Sequence, residues 1–107
     1  MSFSINQVGD RATITVPQYI VGSNKEKLQQ LTLDAMEHDA RHFVVDLASA
    51  SYIDSAALGT LVALSKRIHE KRGTIRLVHL SPDLQTLFQL TRLGTYFDDF
   101  DGGPSAA

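Results

Sequence analysis

An aspartate and a serine precede several small residues in the segment IDSAALG, near the middle of the 107-residue chain. Asp54 and Ser55 come directly before a segment with helical periodicity. Their side-chain oxygens can accept hydrogen bonds from the free backbone N–H groups of a helix start, so both residue types are favoured there. The first interpretation of the pair is therefore an ordinary helix cap.

A second interpretation makes Ser55 a phosphorylation site. Ala56, Ala57 and Gly59 have almost no side chain, so another protein could approach the Ser55 hydroxyl closely. A phosphate on this hydroxyl would add about −1.5 to −2 charges, and the positive end of the helix could hold it. The new charge beside Asp54 would enlarge and acidify a small surface. A protein packed on that surface should then be expelled.

Other chemistries fit the sequence less well. A serine hydrolase would show the elbow G-x-S-x-G, whereas the chain reads IDSAA around Ser55. The histidines are scattered over predicted helix, strand and helix end: His38, His42, His69 and His79. An acidic run near the C-terminus lacks the spacing of a calcium-binding loop, and we expect it to be a frayed, solvated end. Its members are Asp98, Asp99 and Asp101. We therefore expect no catalytic residue, no metal site and no cofactor.

The N-terminal part of the chain predicts a hairpin and a helix. Residues 3–8 and 11–16 alternate apolar and polar side chains around a Gly-Asp dipeptide, which is typical of a half-buried β-hairpin. Ser23 and Glu26 have the spacing of a capping box and predict the start of a first helix. The apolar face of this helix would consist of Leu28, Leu31, Ala35 and Met36.

The rest of the chain alternates strand and helix patterns. Residues 42–47 (HFVVDL) are a short apolar run, typical of a strand buried on both faces. The second helix is expected to stop at Gly73. Residues 74–79 alternate like another strand, and Ser81 with Pro82 predicts the start of a third helix. Two consecutive strand-helix-strand units imply parallel strands with right-handed connections.

Composition and length predict one domain. Hydrophobic residues make up 43% of the chain, which is enough for a core without disulfides, and there is no cysteine. We expect a single domain over residues 1–100. Residues 101–107 have glycine, proline and small residues without periodicity, so we expect a flexible C-terminal tail there.

Charge and hydropathy limit the partners. Ten Lys and Arg against twelve Asp and Glu give a net charge of −2, so we expect no direct binding of nucleic acid. A basic concentration at residues 66–72 fits the C-terminal end of the second helix, where cations complement the helix dipole. The N-terminus shows no basic leader or apolar h-region, and every apolar run is too short to span a membrane. We expect a cytoplasmic protein without membrane insertion.

Two long segments carry a resemblance to a known family. VVDLASASYIDSAALGTLVALSKRI and GTIRLVHLSPDLQTLFQLTRLGTYF resemble the STAS domains of bacterial anti-sigma factor antagonists, over roughly residues 3–100. The central signature of that family is a strand, a short loop, then Asp-Ser-Ser-Gly-Leu-Gly at the start of a helix. The resemblance implies an α/β STAS fold in which an N-terminal β-hairpin leads into a mixed sheet of four to five strands, packed by three to four helices.

The resemblance also implies a function. In this family the motif serine, here Ser55, is phosphorylated by an anti-sigma factor that is a GHKL-type serine kinase, and a PP2C-type phosphatase removes the phosphate. The unphosphorylated form sequesters the anti-sigma factor, which releases the sigma factor for transcription. The implied partner-binding residues are Asp54, Ser55, Ala56, Ala57, Leu58 and Gly59. Ala56 replaces the second serine of the signature, so Ser55 is its only phosphate acceptor. Catalysis would belong to the partners, and the chain itself would be no enzyme.

A second function is compatible with the same fold. STAS subunits also dock permanently on membrane transporters, such as lipid-transport ABC systems, without a phosphorylation cycle, and a fold alone does not decide between the two functions. The presence of both Asp54 and Ser55, followed by small residues, favours the phosphorylatable switch. A neighbouring gene for a kinase or phosphatase would support the switch, and one for a permease would support the docking subunit.

Overall fold

The computed structural model describes residues 3–100, so the predicted flexible tail at residues 101–107 lies outside the described residues. In chain order the elements are β1 (Ser4–Val8), β2 (Arg11–Thr15), β3 (Tyr19–Ile20), α1 (Lys25–Glu37), β4 (His42–Asp46), β5 (Tyr52–Ile53), α2 (Ser55–Glu70), β6 (Thr74–Val78), α3 (Pro82–Thr91), a 3₁₀ helix (Leu93–Tyr96) and β7 (Asp99–Phe100). Among these residues, no helix combines the length and the apolar character that crossing a membrane would need.

A five-stranded mixed sheet has the strand order β1-β2-β4-β6-β7. β1 and β2 are antiparallel and form the predicted hairpin. Gly9 in its turn has a φ of 62°, the positive value that two-residue hairpin turns require. β2, β4 and β6 are parallel neighbours, as the two strand-helix-strand units predict. The predicted α/β fold, with its hairpin, mixed sheet and three to four helices, is confirmed.

The helices pack on one face of this sheet. Alternate residues of the three central strands are almost fully buried: Ala12, Ile14, Phe43, Val45, Ile75 and Leu77. They join one apolar cluster with helix residues such as Leu28 and Leu61. The strand residues between them, such as Thr13 and Val44, are exposed or half-buried. Because α2 is packed on the core along its length, the position of its first turn is fixed.

The predicted capping box of α1 is wrong. The helix begins at Lys25 with Asn24 in the cap position, one residue later than Ser23 predicts. The Asn24 side chain is occupied by the preceding loop: its Oδ1 accepts from the Val21 N–H at 2.8 Å, and its Nδ2 donates to the Tyr19 carbonyl oxygen at 2.8 Å. Asn24 thus stabilises the loop before α1, which becomes important for the site below.

Gly73 follows α2 as predicted, but for another reason. The left-handed residue after the helix is Arg72, with a φ of 61°. The Gly73 N–H then closes the helix end by donating to the Ile68 carbonyl oxygen at 2.9 Å. A methyl group at position 73 would overlap the carbonyl oxygen of Arg41. Gly73 is therefore required by the close approach of two chain segments.

The acidic run near the C-terminus is ordered where the structure describes it. Asp98 Oδ2 accepts a hydrogen bond from the Ile75 N–H at 2.7 Å and lies 2.8 Å from His69 Nε2. Asp99 belongs to β7, which pairs in parallel with β6, and lies 3.3 Å from Arg76. The expectation of a frayed end is wrong for these two aspartates, and Asp101 lies outside the described residues.

Candidate functional site

The loop that carries Asp54 is attached to the loop before α1. β5 pairs in parallel with β3, and Ile20 stands opposite Ile53. Both isoleucines are buried in the core. The Asp54 N–H donates to the Ile20 carbonyl oxygen at 3.1 Å. The start of α2 is therefore fixed from two directions, by the core beneath it and by a neighbouring loop.

The helix cap predicted for the pair of Asp54 and Ser55 is formed by Asp54, which occupies the cap position of α2 and connects both loops. Its Oδ1 accepts a hydrogen bond from the Ala57 N–H at 2.8 Å, and its Oδ2 accepts one from the Gly22 N–H at 2.9 Å. The hydrogen bond from Ala57, followed by that from Gly22, lowers the pKa of Asp54 below its usual value. A charged and oriented carboxylate therefore stands directly beside Ser55.

Ser55 is the first residue of α2 and is exposed. Ala56 and Gly59 are also exposed, and their spacing places them on the same side of the helix. We refer to Asp54, Ser55, Ala56 and Gly59 as the Ser55 surface. Apart from the Asp54 carboxylate and the Ser55 hydroxyl, this surface has no side chain larger than a methyl group.

Two residues of the expected partner-binding set lie in the core. Ala57 is 0% exposed and Leu58 is 7% exposed. Both belong to the buried side of α2, together with Leu61 one turn later. The accessible part of the expected set is thus the four residues of the Ser55 surface, and Ala57 and Leu58 support that surface from beneath.

The sequence interpretation missed the second loop of the site. Gly22 orients the Asp54 carboxylate, and Asn24 fixes the loop that contains Gly22. Beside them, Tyr19 and Tyr52 face each other across β3 and β5. A signal was available in the sequence, because the dipeptide Tyr-Ile occurs at residues 19–20 and again at residues 52–53. We did not recognise these dipeptides as strands, because two residues are too few to show the alternation of apolar and polar side chains.

The basic residues at the other end of α2 form a separate feature. Lys66 Nζ lies 5.3 Å from the ring centre of Tyr96. Arg67 and Lys71 line a groove of about 520 Å³ together with acidic residues of α1, Asp34 and Glu37. Because the groove carries both signs of charge, it shows no preference for an anion. The basic residues lie at the C-terminal end of α2, as the sequence predicts.

Comparison with known proteins identifies the family. The family model of the STAS domain matches residues 2–102, nearly the whole chain. The chain belongs to the STAS family. The resemblance given above for the segments around IDSAALG is therefore confirmed, and the Ser55 surface is located at the start of the second helix of a STAS domain.

Two relatives are similar to this STAS domain in sequence. A STAS-domain protein of Pseudomonas aeruginosa is 34% identical over 67 residues, which are 60% of this chain and 66% of that protein. BtrV of Bordetella bronchiseptica, a candidate anti-sigma factor antagonist, is 26% identical over 99 residues, which are 92% of this chain and 85% of that protein.

Solved structures share the fold at lower identity. A candidate anti-sigma factor antagonist from Thermotoga maritima has a TM-score of 0.83 at 21% identity, over 97% of this chain and 90% of that chain. The phosphorylated form of Bacillus SpoIIAA has a TM-score of 0.73 at 18% identity, over 92% of this chain and 90% of that chain. The murine anion transporter Slc26a9 gives a TM-score of 0.70 at 16% identity, over 94% of this chain but 18% of that chain. These likenesses concern the fold.

Proposed function

We propose that this STAS domain is an anti-sigma factor antagonist whose binding is controlled by phosphorylation of Ser55. The observation that carries the proposal is the open space around Gly59. A methyl group at this position would meet no atom within 4 Å, so the fold does not need a glycine there. Glycine inside a helix costs about 1 kcal/mol relative to alanine. Contact with another protein on the Ser55 surface would explain why position 59 has a glycine although alanine would make the helix more stable.

The unphosphorylated domain binds a protein that packs directly on the Ser55 surface. With little side chain between them, the partner reaches both the Ser55 hydroxyl and the backbone of the first turn of α2. A helix start offers four N–H groups without acceptors inside the helix. Here the Asp54 N–H donates to the Ile20 carbonyl oxygen and the Ala57 N–H donates to the Asp54 carboxylate. The remaining donors and the Asp54 carboxylate give the surface a polar pattern that a partner can recognise.

Phosphorylation breaks this contact in two ways: the phosphate group occupies space that the partner needs, and it adds negative charge. A phosphate on Ser55 would stand where the partner packs and would add about −1.5 to −2 charges. The Asp54 carboxylate cannot turn away from the new charge easily, because Gly22 and Ala57 hold both of its oxygens. Two neighbouring groups of like charge would then face the partner. We expect the partner to dissociate, while the positive end of α2 retains the phosphate.

The chemistry belongs to the partners in this proposal. An anti-sigma factor that is also a GHKL-type serine kinase transfers the γ-phosphoryl group of ATP to Ser55 Oγ; the bond to ADP breaks and the hydroxyl proton passes to the kinase. A PP2C-type phosphatase hydrolyses the phosphoserine. The unphosphorylated domain sequesters the anti-sigma factor in the cytoplasm and so releases a sigma factor for transcription, while the domain itself catalyses nothing.

The test uses the anti-sigma factor kinases of the source organism, purified and tested in turn with ATP. One of them should add a single phosphate, found at Ser55 by fragment mass spectrometry. Ser55→Ala should take up none. Thr60→Ala is the matched control, since Thr60 carries the next hydroxyl along α2 and donates it to the Ala56 carbonyl oxygen at 3.2 Å. Undiminished labelling of Ser55→Ala would contradict the proposal.

A binding measurement tests the switch itself. By isothermal titration calorimetry with the same kinase, Ser55→Ala should bind about as tightly as the unmodified domain. Ser55→Asp should bind at least about tenfold more weakly, a loss of about 1.4 kcal/mol. Equal affinity of the two variants would show that charge at position 55 does not control the complex.

A second candidate function is a docking subunit of a lipid-transport ABC system without a phosphorylation cycle. The shared fold with part of the murine transporter Slc26a9 favours it, because the STAS fold occurs there within a membrane transporter. The two candidates differ in the occupancy of phosphate on Ser55 and in the protein that copurifies with the domain. The docking subunit would remain unphosphorylated and would copurify with a permease.

A further inference from the structure

Two exposed tyrosines stand beside the Ser55 surface. Tyr19 and Tyr52 are paired in register across β3 and β5. They are 55% and 52% exposed, whereas their neighbours Ile20 and Ile53 point to the opposite face and are buried. Among residues 3–100, neither phenol hydroxyl has a hydrogen-bond partner. We refer to these two residues as the tyrosine pair.

The backbone beneath the tyrosine pair is held firmly. The Ser51 and Tyr52 N–H groups both donate to the Gln18 carbonyl oxygen, at 2.8 and 3.3 Å. On the other strand, the Tyr19 carbonyl oxygen accepts from Asn24 Nδ2 at 2.8 Å. Little backbone entropy is therefore left to lose when a partner packs on the pair. Tyrosine is enriched at the centres of protein interfaces because its ring buries apolar area and its hydroxyl still forms hydrogen bonds.

The tyrosine pair lies within the radius of a standard protein interface centred on Ser55. Tyr52 precedes Ser55 by three residues, so their Cα atoms are at most about 11 Å apart. Tyr19 is one strand spacing further, about 4.8 Å. A standard interface buries about 800 Å² of each partner, which corresponds to a radius of about 16 Å around its centre. An interface centred on Ser55 therefore reaches both tyrosines.

We infer that the tyrosine pair is the apolar anchor of the interface with the partner kinase, beside the Ser55 surface. This inference rests on the proposed function, since it takes its partner from there. The two parts of the interface have different roles. The Ser55 surface is small and polar, and phosphorylation there controls binding. The tyrosine pair buries aromatic area and supplies affinity. The kinase should therefore carry an apolar pocket or cleft next to its active site.

Fluorine NMR tests the inference without any substitution in the pair. The chain has three tyrosines, so a domain containing 3-fluorotyrosine should give three resonances. The probe is the purified kinase that labels Ser55, added without ATP. The Tyr19 and Tyr52 resonances should shift on binding. Tyr96, which lies against Lys66 about three turns along α2, should keep its resonance. Unchanged Tyr19 and Tyr52 resonances in a complex that forms would overturn the inference.

Affinity gives a second, independent measurement. The double variant Tyr19→Thr with Tyr52→Thr replaces one strand-favouring residue type by another, since threonine is β-branched, and should bind the kinase more than about tenfold more weakly. Leu90→Gln is the matched control: Leu90 is 79% exposed on α3, and its replacement should change affinity by less than about twofold. Equal losses in both variants would contradict the anchor role. Thermal unfolding of each variant confirms that it is folded.

The outcomes separate the inference from the proposed function. If a kinase labels Ser55 and the double variant still binds normally, only the anchor role fails. If no kinase labels Ser55, the proposed function fails, and the inference fails with it. A dependence of the Tyr19 and Tyr52 resonances on the concentration of the domain alone would assign the pair to self-association and would overturn its assignment to the kinase.

Discussion

Replacing Gly73 by alanine should destabilise the domain strongly, although the change adds a single methyl group. That methyl would overlap the Arg41 carbonyl oxygen and would come within 2.9 Å of Ile68 Cγ2. The carbonyl cannot yield cheaply, because it accepts the Thr74 N–H at 2.9 Å where β4 and β6 begin. Overpacking of this kind typically costs 1–3 kcal/mol, and with backbone in the way we expect about 3 kcal/mol.

The assay is thermal unfolding of the purified domain. A loss of about 3 kcal/mol corresponds to a decrease in Tm of about 12 °C for a domain of this size. Gly59→Ala is the matched control, because it makes the same substitution in open space and removes a helix-interior glycine. It should stabilise the domain by up to about 1 kcal/mol. A Gly73→Ala domain within about 1 kcal/mol of the unmodified one would refute the steric reasoning.

Two further predictions concern aspartates. His79 Nδ1 lies 3.0 Å from Asp46 Oδ1 and holds the pKa of Asp46 below its usual value of about 3.9. Ionised Asp46 therefore stabilises the fold above that pH. This stabilisation is lost as the pH falls through the lowered pKa. Urea unfolding between about pH 2.5 and 6 should show a flatter acid decline for Asp46→Asn, and an unchanged slope would contradict this. Asp54→Ala should accelerate hydrogen exchange of the Gly22 amide, which donates to Asp54. The Ile75 amide, which donates to Asp98, is the control and should exchange at an unchanged rate. Equal exchange rates at Gly22 before and after the change would show that Asp54 does not hold the loop that contains Gly22.

The large elements could be predicted from sequence because each one repeats its pattern several times. Residues 3–8 and 11–16 alternate over the whole length of a hairpin, and residues 42–47 form an apolar run that became the central strand β4. The expectation that this strand is buried on both faces is wrong, because Val44 is only half-buried. Helix starts were predictable where the side chain of the cap residue accepts a hydrogen bond from its own helix. Asp54 and Ser81 both accept from the N–H three residues later, as expected of N-cap residues.

The predictions failed where a residue's role depends on a distant segment. Ser23 and Asn24 are equally good cap types, and the choice between them was decided by hydrogen bonds of Asn24 to Tyr19 and Val21. β3, β5 and β7 are two residues long, so they carry no periodicity and exist only through their partners. The clamp between Gly22 and Asp54 likewise joins loops that are far apart in sequence.

The placement of Ala57 was a failure of a different kind. The sequence interpretation assigned it to the exposed turn because it is small, but the buried stripe of α2 includes it. Its spacing from Leu61, Leu64 and Ile68 follows the helical repeat, so its burial was available from periodicity. The small size of Ala57 had suggested that it is exposed, but its position on the helix places it in the core.

The central claim is that Ser55 of this domain carries the regulatory phosphate, and mass spectrometry of the protein isolated from its source organism tests it most directly. We predict two populations of intact protein that differ by one phosphate, with the modified residue mapped to Ser55. Treatment with a PP2C-type phosphatase should convert one population into the other. A single unmodified population under all growth conditions, or a phosphate that maps to another residue, would contradict the claim.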